Sequence, residues 1–192
     1  MMAPHRAARA LAIVLVGALL PAMAAAGSDQ RSPYAGQERR EIKSLSPDDL
    51  AQLRAGQGWG LAKAAELNGL PGPLHVLALR QQLDLGEVQA SRIDVLYREM
   101  NEQARALGIR LIEQERRLDE TFARGEMTPT LLRGMLTKIA KLRGELRFVH
   151  LNAHLAMMPL LRPEQIAQYN QLRGYDSTAP GRHDKGHHGH HK

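Results

Sequence analysis

Between residues 132 and 160 apolar side chains recur at alternating steps of three and four: Leu132, Met135, Ile139, Leu142, Leu146, Val149, Ala153, Ala156 and Leu160. That rhythm keeps one face of a helix apolar and predicts an amphipathic helix with a coiled-coil-like seam. Upstream, Ile93, Leu96, Met100, Ala104, Leu107, Leu111, Leu118 and Phe122 keep a similar spacing, interrupted by Glu115. Between the two stretches, Gly125 suits a left-handed helix end, and Thr128-Pro129 supplies an N-cap followed by proline at the first helical position. The pattern predicts one long antiparallel helical hairpin from Gly86 to Leu160, turning near Glu126. Glu115 is expected to pair with a basic side chain across it, Arg133 or Lys138.

Shorter elements flank the hairpin. Ser46-Pro47-Asp48-Asp49 combines an N-cap, a proline and an acid at the third helical position, and starts a short helix ending near Gly56. Gly56, Gly58 and Gly60 follow no strand and are spaced G-x-G-x-G, so they are no dinucleotide fingerprint. They read as a bend where backbones approach closely, with Trp59 as a packing anchor. Leu61 to Leu67 gives one or two more helical turns, stopped by Asn68-Gly69 and Pro71-Gly72-Pro73. Leu74, Leu77 and Leu79 predict a short helix lying against the hairpin, and Pro163 to Gly174 a last one. A buried Leu contributes only about 1.5 to 3 kcal/mol, while ordering a residue costs about 1 to 2 kcal/mol. Two helices alone therefore need a third layer, from the short helices or from a second subunit.

Composition narrows the class. The chain has 192 residues, no Cys, 43% hydrophobic but only 4% aromatic residues, so Leu, Ala, Ile, Val and Met must build the core. That favours an all-α domain without disulfides. The net charge of +6 is modest, and basic residues interleave with acidic ones, as in Glu113-Gln114-Glu115-Arg116-Arg117. This is a solvated helix face and no nucleic-acid stripe. At the start, Arg6 and Arg9 precede the apolar run Ala10 to Leu20 and the small residues up to Ala26, the pattern of a secretory signal peptide. Cleavage is expected after Ala26, with Ala22-Met23-Ala24 as the rival site and an uncleaved anchor as the alternative. Residues 1–26 are then the signal, 27–45 a polar, flexible arm, 46–175 the helical domain, and 176–192 a disordered His-rich tail.

The candidate chemistry sits on the returning helix. At about 100° per residue, with Leu146 at zero, Met157 lies at about 20°, His150 at about 40° and His154 at about 80°. Imidazoles four residues apart can share one borderline metal ion, and thioether sulfur from Met157 or Met158 favours softer ions such as Cu(I). Pairing about Glu126 would put His150 near Glu102 and His154 near Arg98 and Glu99. The alternative is that both histidines pack against the seam, hydrogen-bonded to Glu99 or Glu102. His75 reads as a packed side chain. In the tail, His183, His187, His188, His190 and His191 can capture Ni, Cu or Zn without preformed geometry. No Cys nucleophile, G-x-S-x-G or H-E-x-x-H occurs, which leaves hydrolase chemistry unsupported.

Leu85-Gly86-Glu87-Val88-Gln89 and Leu161-Arg162-Pro163-Glu164-Gln165 each place Gln where a capping box puts its third helical residue. With Ala64 to Pro73 and His150 to Leu155, they resemble the Spy/CpxP family of bacterial periplasmic proteins and its CnrX- and ZraP-like heavy-metal-responsive relatives. The family is marked by two L-T-x-x-Q motifs flanking a helical hairpin; Gly86 and Arg162 stand here where the motif has Thr. The resemblance covers about Tyr34 to Tyr175. It implies an all-α, cradle-shaped homodimer in the periplasm, without catalysis or a required cofactor. Spy-like members hold partly unfolded proteins without ATP on a surface mixing basic and apolar side chains. CnrX-like members bind nickel or cobalt through His, Glu and Met and signal to a membrane-bound partner; His154 and Met158 reproduce their H-x-x-x-M spacing, and His150 and His154 the H-x-x-x-H spacing. A periplasmic stress protein that shields clients and binds Ni, Co, Cu or Zn is therefore expected, with a metal sensor or buffer as the alternative.

Overall fold

The two stretches with helical periodicity fold as the long helices α4 (Glu87–Ala123) and α5 (Pro129–Met157), packed against each other along their seams. The computed structural model describes residues 31–175. Gly125 ends the first arm with φ 68°, and Thr128 caps the second by accepting the Leu131 N–H at 3.3 Å. At the tip the apolar stripe slips by one residue: Phe122 is 55% exposed, and Thr121 is buried in its place. The polar side chain is tolerated there because its hydroxyl donates to the Arg117 carbonyl at 2.7 Å.

Four short helices complete the domain: α1 (Pro47–Ala55), α2 (Lys63–Glu66), α3 (Pro73–Ala78) and α6 (Pro163–Leu172). Among the described residues there is no strand, and no helix is long and apolar enough to cross a membrane. The chain divides into two units after Ala35. Of the first, residues 31–35 are described, as a turn closed by the Ala35 N–H on the Ser32 carbonyl. The second, from Gly36, contains every helix among the described residues. The expected signal peptide and the histidines of the tail lie outside the described residues.

The third layer comes from the chain's own short elements. In one cluster, Leu50 and Leu53 of α1 pack on Ala104, Leu111, Ile112, Ile139, Leu142 and Leu146 of the hairpin, joined by Ile42 and Leu45. Here the structure departs from the expected flexible arm. Ile42 and Leu45 are buried, and the segment is held by Lys43 on Asp119 at 2.9 Å and Glu41 on Arg116 at 2.6 Å. α1 comes so close to α4 that a Cβ on Gly108 would overlap the Leu53 carbonyl. Glu115, buried beneath this layer, accepts the Ser44 hydroxyl at 3.2 Å and lies 3.5 Å from Arg143, not Arg133 or Lys138.

A second cluster joins Val76, Leu83, Leu85, Ala90, Ile93, Met157, Leu161 and Tyr169. α3 lies here as expected, but Val76 is its buried anchor and Leu74 is exposed. Gln165, itself buried, accepts the Arg162 N–H at 3.0 Å and so caps α6. Gln89 does not reach back to its own cap; its amide donates to the Leu160 carbonyl at 2.6 Å and to Gln165 at 2.8 Å. The two motif glutamines thus tie the start of α4 to the start of α6.

Candidate functional site

Where α2 and α3 meet the end of α5, polar side chains gather around one carboxylate. Glu66 closes the single turn of α2 and is buried. Its Oε1 accepts the Tyr169 hydroxyl at 2.6 Å and the Tyr175 hydroxyl at 3.2 Å, with Arg173 Nε at 3.4 Å and His75 Nδ1 at 3.5 Å. Its Oε2 lies 3.8 Å from His154 Nδ1. A buried carboxylate costs several kcal/mol unless it is paired and hydrogen-bonded, and Tyr169 of α6 with Arg173 and Tyr175 just beyond it supplies most of those partners. Burial and the adjoining carboxylate push the Tyr169 hydroxyl well above the ordinary phenol range, so it remains a donor.

His154 is buried and anchored. Its Nδ1 is 2.8 Å from the Leu70 carbonyl, which can only accept, so the proton is assigned to Nδ1 and the Nε2 lone pair is left free. Gly72 keeps room in front of that ring: a Cβ there would sit 3.0 Å from Nε2 and 2.8 Å from Cε1. One turn earlier, His150 is 4% exposed, and its buried Nε2 has no hydrogen-bond partner. Burial, helped by the neighbouring His154, depresses its basicity below the ordinary imidazole value. His75, half-buried on α3, is shifted down too: burial and Arg173 outweigh the pull of Glu66.

His75, His150 and His154 line a cleft of about 710 Å³ with Trp59, Tyr97 and Met100. Trp59 is fixed at its edge by donating Nε1–H to Asp49 at 2.7 Å and by the Arg143 guanidinium 4.8 Å from its ring centre. The structure therefore brings His150 and His154 together and adds His75. It does not bring in the methionines: Met157 is fully buried in the second core cluster, and Met158 lies in the following 3-10 turn, outside the cleft lining. Glu99 and Glu102 are exposed; Glu66 takes the carboxylate role, because the histidine flank of α5 faces the α2–α3 connection. Nothing in the local pattern around Glu66 signals this, since its partners Tyr169 and Tyr175 come from more than a hundred residues on.

Imidazoles that present Nε2 suit borderline transition-metal ions, and the Leu70 carbonyl orients His154 as such ligands are commonly oriented. Among the described residues, however, no three His, Asp or Glu side chains are placed to hold one ion. The expected ligands His183, His187, His188, His190 and His191 lie outside the described residues.

A model of the LTXXQ motif family protein matches residues 74–173, a span from α3 through α6 that contains both motif glutamines. No curated protein matches the chain, and no solved structure does.

Proposed function

Because the chain belongs to the LTXXQ motif family, the family of Spy/CpxP-like periplasmic proteins, we propose that it is a non-enzymatic periplasmic stress protein. It holds partly unfolded proteins without ATP and binds transition-metal ions. In this reading residues 1–26 are cleaved on export, and the mature chain acts as a homodimer.

One observation carries the client-holding part. On α5, Gly144, Phe148, Leu151 and Leu155 recur at steps of four and three and continue into Met158. The first four lie about 140° to 200° around the helix from Leu146 of the core, and Phe148 and Leu155 are 65% and 60% exposed. Exposed Lys141 and Arg147 border the stripe. A second groove of about 610 Å³ between the arms sets exposed Ile109 among Arg110, Lys138 and Lys141, with Glu113 and Glu145 also in its lining. Apolar side chains left in water among charged ones are what an unfolded segment can cover at little ordering cost to the holder. The test is dilution of a denatured client into an equimolar amount of the protein: light scattering from aggregates falls, and undiminished scattering overturns the proposal. Light scattering of the protein alone checks the dimer, and a one-chain mass contradicts it.

The unpartnered His150 Nε2 favours a second reading, a periplasmic metal sensor or buffer acting on a membrane-bound partner. In that case nickel, cobalt, copper or zinc binding changes the hairpin's hydrogen-exchange pattern, and client aggregation proceeds unhindered.

A further inference from the structure

We propose that the cleft where α2 and α3 meet α4 and α5 is a binding site for a short, neutral oligosaccharide. It lies on a different face of α5 from the exposed stripe of Phe148 and Leu155, and it goes beyond the holding of unfolded chains.

The polar side of the cleft is built, and one of its groups has no partner. His150 is 4% exposed and lines the cleft, and its Nε2 makes no hydrogen bond. Buried polar groups are almost always satisfied, so an orphan beside a cavity points to a group that arrives from outside. His154, one turn on, presents Nε2 as an acceptor because its Nδ1 proton is committed to the Leu70 carbonyl. Asn101 spends its amide N–H groups on the Ala55 and Gly56 carbonyls, at 2.9 and 3.1 Å, which leaves its Oδ1 to accept. At the rim the exposed Gln57 amide offers both senses. Hydroxyl groups donate and accept at one atom, so a polyol can meet such a mixed set.

Charge favours a neutral ligand. Lys63 and Glu66 are the only formally charged side chains of the lining and cancel each other. Glu66 is in any case closed by Tyr169, Tyr175 and Arg173. His75 and His150 are held below the ordinary imidazole range by burial and stay uncharged near neutral pH.

The opposite walls are aromatic. Trp59 and Tyr97 are half-buried and line the cleft together with Met100. Trp59 is held there against its own backbone: its φ of 44° is left-handed, an outlier for so bulky a residue. The indole N–H, donated to Asp49 at 2.7 Å, keeps it in place, and such strain gathers where a structure clamps ligands. Trp and Tyr rings offer large apolar faces with polar tips. A pyranose ring is their complement, with apolar C–H faces for the rings and a hydroxyl edge for the imidazoles and amides. The cleft volume of about 710 Å³ lies within the range of about 300 to 1,000 Å³ usual for small-molecule sites.

Trp59 is the only tryptophan of the chain, so its emission reports occupancy. The experiment titrates the full chain with maltotriose and with the trimer of N-acetylglucosamine, following Trp59 emission and heat. N-acetylphenylalaninamide, a neutral aromatic amide without hydroxyl groups, is titrated beside them. The expected result is a saturable shift of Trp59 emission with at least one oligosaccharide and none with the amide. Tyr97→Ala removes one aromatic wall and weakens binding about tenfold, while its melting temperature stays near that of the parent. His154→Phe keeps a ring but removes the acceptor, and weakens binding to a similar degree. Absence of a response to either oligosaccharide at millimolar concentration overturns the site. A response that Tyr97→Ala leaves unchanged places binding outside the cleft and overturns it as well. Binding of the aromatic amide alone makes the cleft an anchor for apolar side chains and overturns the saccharide assignment. Suppression of client aggregation reads a different surface, so the two readings fail separately.

Discussion

Gln89 and Gln165 exchange amide hydrogen bonds, Gln89 Nε2 to Gln165 Oε1 at 2.8 Å and Gln165 Nε2 to Gln89 Oε1 at 3.2 Å. They stand 76 positions apart, at the third residue of α4 and of α6. Gln165 also donates to the Leu83 carbonyl at 3.0 Å, and is 2% exposed. A buried amide with every group engaged fixes the relative placement of the elements it joins, and a half-satisfied one destabilises them.

Gln165→Ala should therefore cost about 2 to 3 kcal/mol, because it removes a helix cap and strands the Leu83 carbonyl. Gln89→Ala, at a more accessible position, should cost about 1 kcal/mol. Since each removes the shared bond, the double variant should lose less than the sum of the two. Urea unfolding of the four proteins checks this; strict additivity would show that the pair is not coupled.

The same reasoning applies to charge at His150. Its folded-state basicity is depressed by burial and by His154, whereas the unfolded chain titrates near the ordinary value of about 6.5. Between the two values the unfolded state binds more protons, so stability rises with pH and is lost as pH falls below about 6.5. His75 adds a smaller contribution of the same sign, screened by its exposure. The melting temperature should fall between about pH 7.5 and pH 5, above the range where carboxylates titrate. His150→Gln should flatten that fall, and an unchanged slope would remove His150 as its source.

Close packing of α1 on α4 gives a third expectation. Alanine in place of Gly108 gains about 1 kcal/mol of helix propensity but drives a methyl group into the Leu53 carbonyl, at a cost of about 1 to 3 kcal/mol or more. Gly108→Ala should lower the melting temperature although it substitutes the best helix former. A rise would mean that α1 can withdraw freely.

Much of this architecture was legible in the sequence, because helix periodicity and caps are local signals. The steps of three and four place α4 and α5, Thr128-Pro129 and Ser46-Pro47 start their helices, and the all-α class follows from a composition with only 4% aromatic residues. Ile42 and Leu45 were hidden because two apolar residues in a polar stretch have no period; their burial depends on a groove that exists only once α1 meets the hairpin. The helical angle that suggested Met157 as a ligand is the angle of the seam, and packing claims it. Glu66 could not be found from spacing, since its role is created by Tyr169, Tyr175 and His154 arriving from distant segments.

The central claim is that the outer stripe of α5 holds unfolded chains. Phe148→Asp combined with Leu155→Asp alters two exposed positions, so the melting temperature should stay within the roughly 0.5 kcal/mol usual for surface changes. Suppression of client aggregation at equimolar ratio is the direct measurement: the account predicts that the parent chain suppresses it and the double variant loses most of that effect. Equal suppression by both proteins would contradict the assignment of the stripe, and none by either would contradict the holding function.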